Sequence, residues 1–314
     1  MKIYIKGKGI IAPNNISDEA PTNANVERMN CMEPDYTQFF DSRALRRMSR
    51  IVKLGSTAAI LALKDANMET PDAVVVGTGF GCLEDTSLFL RKLVTNKEEM
   101  LNPTPFIFST HNTIAAQIAI QLKTHGYNST YSHRNFSFES ALLDAFLLLK
   151  EDEVKNALVG GIDELTDDSF DLLKRLNYYK NKFAGEGSSF FVLSNEADDN
   201  CYAELKAIQL FSNISIDEAI SKLNILTQED KIDAVIVGSQ PEKIDANDKA
   251  MIDALSLQNK PIFYKHLSGE YPTANAFAFG VAASLFKENN AIKNLLIYNH
   301  YAETNHSFIL LSAC

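Results

Sequence analysis

The chain offers few residues whose neighbours equip them for chemistry, and the densest group is Ser132-His133-Arg134-Asn135 with Ser137 just beyond. The flanking pattern reads as a strand over Tyr127–Tyr131, a turn, and a helix over Phe136–Lys150. A histidine there could act as a general base, with Ser132 or Ser137 as the nucleophile. The turn residue itself is Asn135, whose amide has no acidic proton to lose and cannot carry an acyl group. Cys82 follows Gly-Phe-Gly and could be a reactive thiol, but a buried cysteine packing as a small hydrophobe explains it at less cost. His266 follows Lys265, where a satisfied polar contact is the simpler role.

The elements around these residues alternate between strand and helix. Lys2–Ile11 alternates as a strand, and residues 14–42, with Pro21 and Pro34, read as a covering loop. Asp41 or Ser42 caps one long helix running to Met68, with apolar residues at helical spacing. Asp72–Gly79 is a β-branched run ending in glycines, the mark of a strand buried on both faces. A helix over 84–96, a Pro-rich loop at 102–109 and a helix over 112–123 precede the Tyr127 strand. Asn156–Asp163 is a second buried strand. The pattern then restarts near residue 160, which divides the chain into similar halves, 1–160 and 161–314, packed as one unit. Ser188–Ser194 and Tyr202–Phe211 read as an antiparallel pair. A helix over 214–226, a strand at 234–238, a helix from 247, a strand at 261–264 and a helix over 274–287 follow. Strands at 295–299 and 308–311 close the chain.

Bulk properties exclude several functions. The chain has 314 residues, 46% hydrophobic and 22% charged, with a formal net charge of −10. That balance opposes general nucleic-acid binding and a polybasic membrane anchor. No run is long enough for a transmembrane helix, and the lysines of the first residues interrupt any signal-peptide core. Four cysteines, at 31, 82, 201 and 314, include no C-x-x-C pair. Reduced thiols in a cytoplasmic protein are the expectation, with no disulfide framework, metal site or cofactor site. One basic stripe, Arg43, Arg46, Arg47 and Arg50, could dock an acidic carrier or a partner; a solvated helix face explains it equally well.

These segments together resemble the β-ketoacyl synthase family. Lys2-Ile-Tyr-Ile-Lys-Gly-Lys-Gly is similar to its opening strand, and Arg50–Ala66 to its first core helix. Val74-Val-Val-Gly-Thr-Gly-Phe-Gly and Pro103–Ala116 resemble the segments ahead of its nucleophile, and Gly126–Phe146 the nucleophile segment itself. Gly160-Gly161 and Gly185–Leu193 follow as they do in the family, the latter resembling the strand that opens the second half.

The resemblance implies an α/β thiolase-like fold: two βαβαβαββ halves in a five-layered αβαβα unit. It also implies an active site of one cysteine and two histidines, in which a thiolate attacks an acyl thioester and imidazoles stabilise an enolate. Here those positions match Asn135, Gln240 and Glu270; the family's lysine is kept as Lys265. A Lys265–Glu270 salt bridge filling the old cavity is expected. The implied role is that of an inactive, chain-length-factor type subunit paired with an active ketosynthase, or with itself. A carrier protein is a further partner, and Tyr127, Asn128, Ser129, Thr130 and Tyr131 form the implied dimer strand. Two other readings remain open: an acyl transferase or hydrolase using Ser137 or His133 with Glu270, and a self-associating protein that holds an acyl group or a carrier.

Overall fold

The computed structural model describes residues 1–18, 27–180, 182–198, 200–228, 231–257 and 259–314; Pro21 of the expected covering loop lies outside them. Its strands are β1 (Tyr4–Ile11), β2 (Ala73–Gly77), β3 (Tyr127–Tyr131), β4 (Asn156–Asp163), β5 (Gly187–Ser194), β6 (Ala203–Phe211), β7 (Ala234–Val237), β8 (Ile262–Phe263), β9 (Asn294–Tyr301) and β10 (Asn305–Ser312). The α-helices are α1 (Ser42–Leu45), α2 (Arg50–Asp65), α3 (Leu83–Thr95), α4 (Pro103–Phe108), α5 (Thr113–Leu122), α6 (Ser137–Lys150), α7 (Asp167–Arg175), α8 (Ile216–Leu226), α9 (Ala246–Leu255), α10 (Lys265–Ser268) and α11 (Ala274–Glu288).

The strands hydrogen-bond in the order β3-β2-β4-β5-β1-β6-β10-β9-β7-β8. Read outward from the centre, one side runs 1, 5, 4, 2, 3 and the other 6, 10, 9, 7, 8. Each strand of the second side stands five places after its counterpart, so the unit is repeated. The two sides meet in the sheet where Tyr4 faces Glu204 and Ile5 faces Ala203, with Leu205 N–H also donating to the Ile3 carbonyl. This order corrects two sequence expectations. β1 lies between β5 and β6, so those two do not pair with each other. The repeat restarts at β6, and the expected 160/161 division falls inside β4. Alternation identifies a strand but carries no information about its neighbour.

Burial separates the layers. Val74 and Val76 of β2 pack with α2 and α5, whereas Ala73 and Val75 pack with α6 and α11. In the second half, Ala234 and Ile236 join that same inner cluster, while Val235 and Val237 face α8 and α9. Successive strand residues point to opposite faces, so the valine-rich runs are buried on both sides between three helical layers. Phe138 is in the inner cluster, whereas Phe106 is 55% exposed.

Three local features depart from the periodic reading. The single helix expected from residue 41 to 68 is two: Asp41 accepts from the N–H groups of Arg43 and Ala44 to cap α1, and extended Ser49 separates it from α2. The Pro-rich loop forms α4, because proline fits a first helical turn and Asn102 caps it by accepting from Thr104 N–H. Cys201 and Cys314 form a disulfide with 6.6 Å between Cα atoms, correcting the expectation of four free thiols. Antiparallel pairing of β6 with β10 sets Glu204 opposite Ser312, which brings the two cysteines to one end of the sheet.

Helix α2 lies directly on β1 because the strand carries glycine there. A Cβ on Gly9 would lie 2.0 Å from the Ala58 carbonyl oxygen, and one on Gly7 would lie 2.3 Å from that of Ala62. Gly9→Ala is expected to cost about 1–3 kcal/mol by forcing the helix away. The shift in urea midpoint measures it, and an unchanged midpoint would refute this contact.

Candidate functional site

The strand–turn–helix segment builds one wall of a cavity of about 380 Å³. β3 ends at Tyr131, and a single 3₁₀ turn, Arg134–Phe136, leads into α6. Arg134 takes a left-handed conformation, φ 50°, a sparsely populated state for a non-glycine residue that concentrates at functional turns. It presents Asn135 to the cavity. Ser137 tightens the turn: its Oγ donates to the Arg134 carbonyl at 2.7 Å and accepts from His133 N–H at 2.9 Å.

The other half supplies the facing walls. Gln240 follows the end of β7, and Lys265 and Glu270 bracket α10; all three line the same cavity as Asn135. Gly269, φ 74°, turns the chain so that Glu270 N–H reaches the Phe183 carbonyl at 2.7 Å. The ion pair expected for Glu270 is present with a second cation. Its carboxylate lies 3.0 Å from the ammonium groups of both Lys265 and Lys182, and its side chain is 4% exposed. Burial pushes the Glu270 carboxyl upward, but the two lysines outweigh it and hold the group charged, below the usual carboxylate range.

Two polar groups at this site carried no recognisable sequence signal. Glu139 is fully buried behind the turn, and one oxygen accepts from Asn275, Asn299 and Ser307. Burial raises its pKa. The same Asn299 amide donates to the Asn135 carbonyl at 3.3 Å, tying the turn to β9. His300 lines the cavity with Asp245, the two in contact at 2.7 Å across 55 residues of sequence. Burial works against the Asp245 carboxylate, yet the hydrogen bond and charge of His300 bring its pKa down to about 2.

The nucleophile–base arrangements considered from sequence do not assemble. Both hydrogen-bonding capacities of Ser137 are used in the turn. His133 is exposed and meets Ser140 through Nδ1, while Glu270 is committed to lysines. No thiol lines the cavity among the described residues. Cys82 is buried in the α2–α5 layer, where burial pushes its thiol up to about 12. The cavity holds an ion-paired carboxylate, with an amide where a helix N-terminus would activate a thiol.

The basic stripe divides. Arg43, Arg46 and Arg47 are exposed. Arg50 is engaged within the fold: its guanidinium grips Glu186 through both terminal nitrogens, at 2.7 and 2.5 Å, and reaches Glu33 through Nε at 2.6 Å. At the far edge of the sheet, β3 has a strand on one side only. Tyr127 there is 41% exposed, and Leu147 and Ile120 on α6 and α5 are also exposed.

No helix among the described residues is long and apolar enough to cross a membrane. No curated protein sequence matches the chain. Solved structures do match its fold. One is the type II PKS acyl-carrier protein in complex with its ketosynthase, AntDE:AntF, at a TM-score of 0.85 and 15% identity over 100% of this chain and 99% of that one. The ishigamide ketosynthase/chain length factor matches at 0.79 and 17% identity, over 100% and 99%. The ketosynthase ApeO with its chain length factor ApeC from Xenorhabdus doucetiae matches at 0.77 and 15%, over 100% and 98%. Thus the thiolase-like, ketosynthase architecture expected from the sequence is the observed one. Residues 21–184, just over half of the chain, match the family described as "Beta-ketoacyl synthase, N-terminal domain". The chain is a member of the β-ketoacyl synthase family.

Proposed function

We propose that this chain is a non-catalytic, chain-length-factor type subunit that pairs with an active ketosynthase in polyketide, aryl polyene or fatty-acid biosynthesis. One observation carries the reading: Asn135, Gln240 and the Lys182–Glu270–Lys265 group surround one cavity at the positions matched to a cysteine and two histidines. An amide cannot form the acyl-enzyme, and a glutamate held charged by two lysines cannot stabilise an enolate oxygen. Two similar structures contain a ketosynthase with a chain length factor, which supports the choice of partner. A third contains a carrier protein with its ketosynthase, and exposed Arg43, Arg46 and Arg47 are the residues we assign to carrier or partner docking. The site of action on this reading is the cytoplasm.

Pairing through β3 follows from its open edge, since an unpaired strand is a template for another chain. The assigned contact is Tyr127–Tyr131 with the exposed apolar side chains of α5 and α6. The purified chain is expected neither to condense nor to decarboxylate malonyl-carrier, and to co-purify with a cysteine-containing ketosynthase. Tyr127→Asp with Leu147→Asp is expected to weaken that pairing more than tenfold while leaving the fold intact, because both side chains are exposed. Decarboxylation by the chain alone, or pairing unaffected by the double substitution, would overturn the corresponding half of the proposal.

A further inference from the structure

His300, Asp245 and Asp248 offer one ligand atom each, all within 4.8 Å of one another. Their positions are fixed by separate elements. Asp245 caps α9, accepting from Asp248 N–H at 2.9 Å, and the Ser239 hydroxyl accepts from Asp245 N–H. His300 comes from the end of β9 and stacks on Tyr298. Asp245 and His300 face the cavity, whereas Asp248 is 0% exposed behind them.

Asp248 is the observation that points to a ligand. Neither of its carboxylate oxygens accepts a hydrogen bond of ordinary geometry. The Ser239 hydroxyl and the His300 ring stand beside it, the latter with Nε2 at 3.6 Å, and the charges of Asp245 and Lys265 also act on it. A buried carboxylate without such donors is costly, and this one is aimed at an imidazole that already faces a second carboxylate. A divalent ion between the three neutralises both acids at once. We propose that His300 Nε2 and one oxygen each of Asp245 and Asp248 bind a divalent transition-metal ion in the cavity wall. One imidazole and two carboxylates suit Mn²⁺, Fe²⁺ or Zn²⁺ better than an all-oxygen cage would. The remaining coordination positions open into the cavity, so the ion can take a further ligand from it. The site does not depend on the pairing proposed above. No sequence spacing announces it, because His300 lies 55 residues from Asp245.

The test uses the full chain, stripped with chelator and titrated separately with Mn²⁺ and Zn²⁺ by calorimetry, with the Mn²⁺ spectrum read by electron paramagnetic resonance. One ion per chain is expected for at least one metal. Asp245→Asn and His300→Ala are each expected to lower its affinity at least tenfold, with an unchanged circular-dichroism spectrum. Asp248→Asn is a third variant; where it fails to fold, His300→Ala carries the result, since that side chain is partly exposed. No uptake at millimolar metal overturns the proposal, as does uptake that survives both Asp245→Asn and His300→Ala.

Discussion

Arg50→Leu is expected to cost about 3–5 kcal/mol of folding stability, the range for breaking a buried ion pair from one side. The reason lies in what it leaves behind. Glu186 has a fully buried side chain and is held by four donors: two guanidinium nitrogens and the N–H groups of Cys31 and Leu165. Without Arg50, a carboxylate remains out of water with two backbone donors. Glu186 also ties the Cys31 loop and the end of β4 to the start of α2, so the loss spreads over three segments. Adding Glu186→Gln to Arg50→Leu should recover part of the deficit, because the stranded charge is removed while one acceptor is kept. Arg50→Lys should fall between, since an ammonium cannot make the forked contact. Urea unfolding with an unchanged slope measures all three. A loss within about 1 kcal/mol for Arg50→Leu, the range of an exposed pair, would show that the contact is superficial.

The same arginine marks where sequence reasoning stopped. Arg43, Arg46, Arg47 and Arg50 look alike as a string, and only the fold separates three solvated groups from one bound to Glu186. Helices and strands were legible because burial imposes periodicity: Val74–Val76 announced a strand between two layers, and apolar residues at helical spacing announced the helix that became α2. What periodicity omits is partnership. β1 separates β5 from β6 because Tyr4 pairs with both Ser194 and Glu204, distant in the chain, and Cys201 meets Cys314 for the same reason, with a sequence separation of 113.

The cavity was legible where a motif spacing survived. Asn135, Gln240, Lys265 and Glu270 were found by their neighbours, and the fold brings them around one space. Glu139 and His300 were not, because each is defined by contacts between elements rather than by a local pattern. Asn275, Asn299 and Ser307 converge on Glu139 from α11, β9 and β10. Lys182, the second cation on Glu270, comes from the segment between α7 and β5.

The stability of this protein should fall as pH rises from 5 to 9, and Glu164→Gln should remove part of that fall. Glu164 is 1% exposed; one oxygen accepts from Glu84 N–H at 3.0 Å and the other has no hydrogen-bond partner. Burial pushes its carboxyl up to about 8, so the folded chain keeps it protonated at neutral pH. A group whose folded pKa is raised contributes stability that is complete below its unfolded pKa and disappears as pH climbs through the folded value. For Glu164 the window runs from the ordinary glutamate value of about 4.3 up to about 8. Its neighbour Asp163, pushed by burial to about 6 despite five donors, loses its own share lower in that range. Subtracting wild type from Glu164→Gln at each pH cancels that share. The amide keeps the acceptor for Glu84 N–H and never ionises. The variant should therefore gain on wild type by on the order of 3 kcal/mol between pH 5 and 9. Urea midpoints at the two ends measure the difference. A gap that stays constant with pH would mean that Glu164 ionises freely in the folded chain, and that the space around its second oxygen admits water.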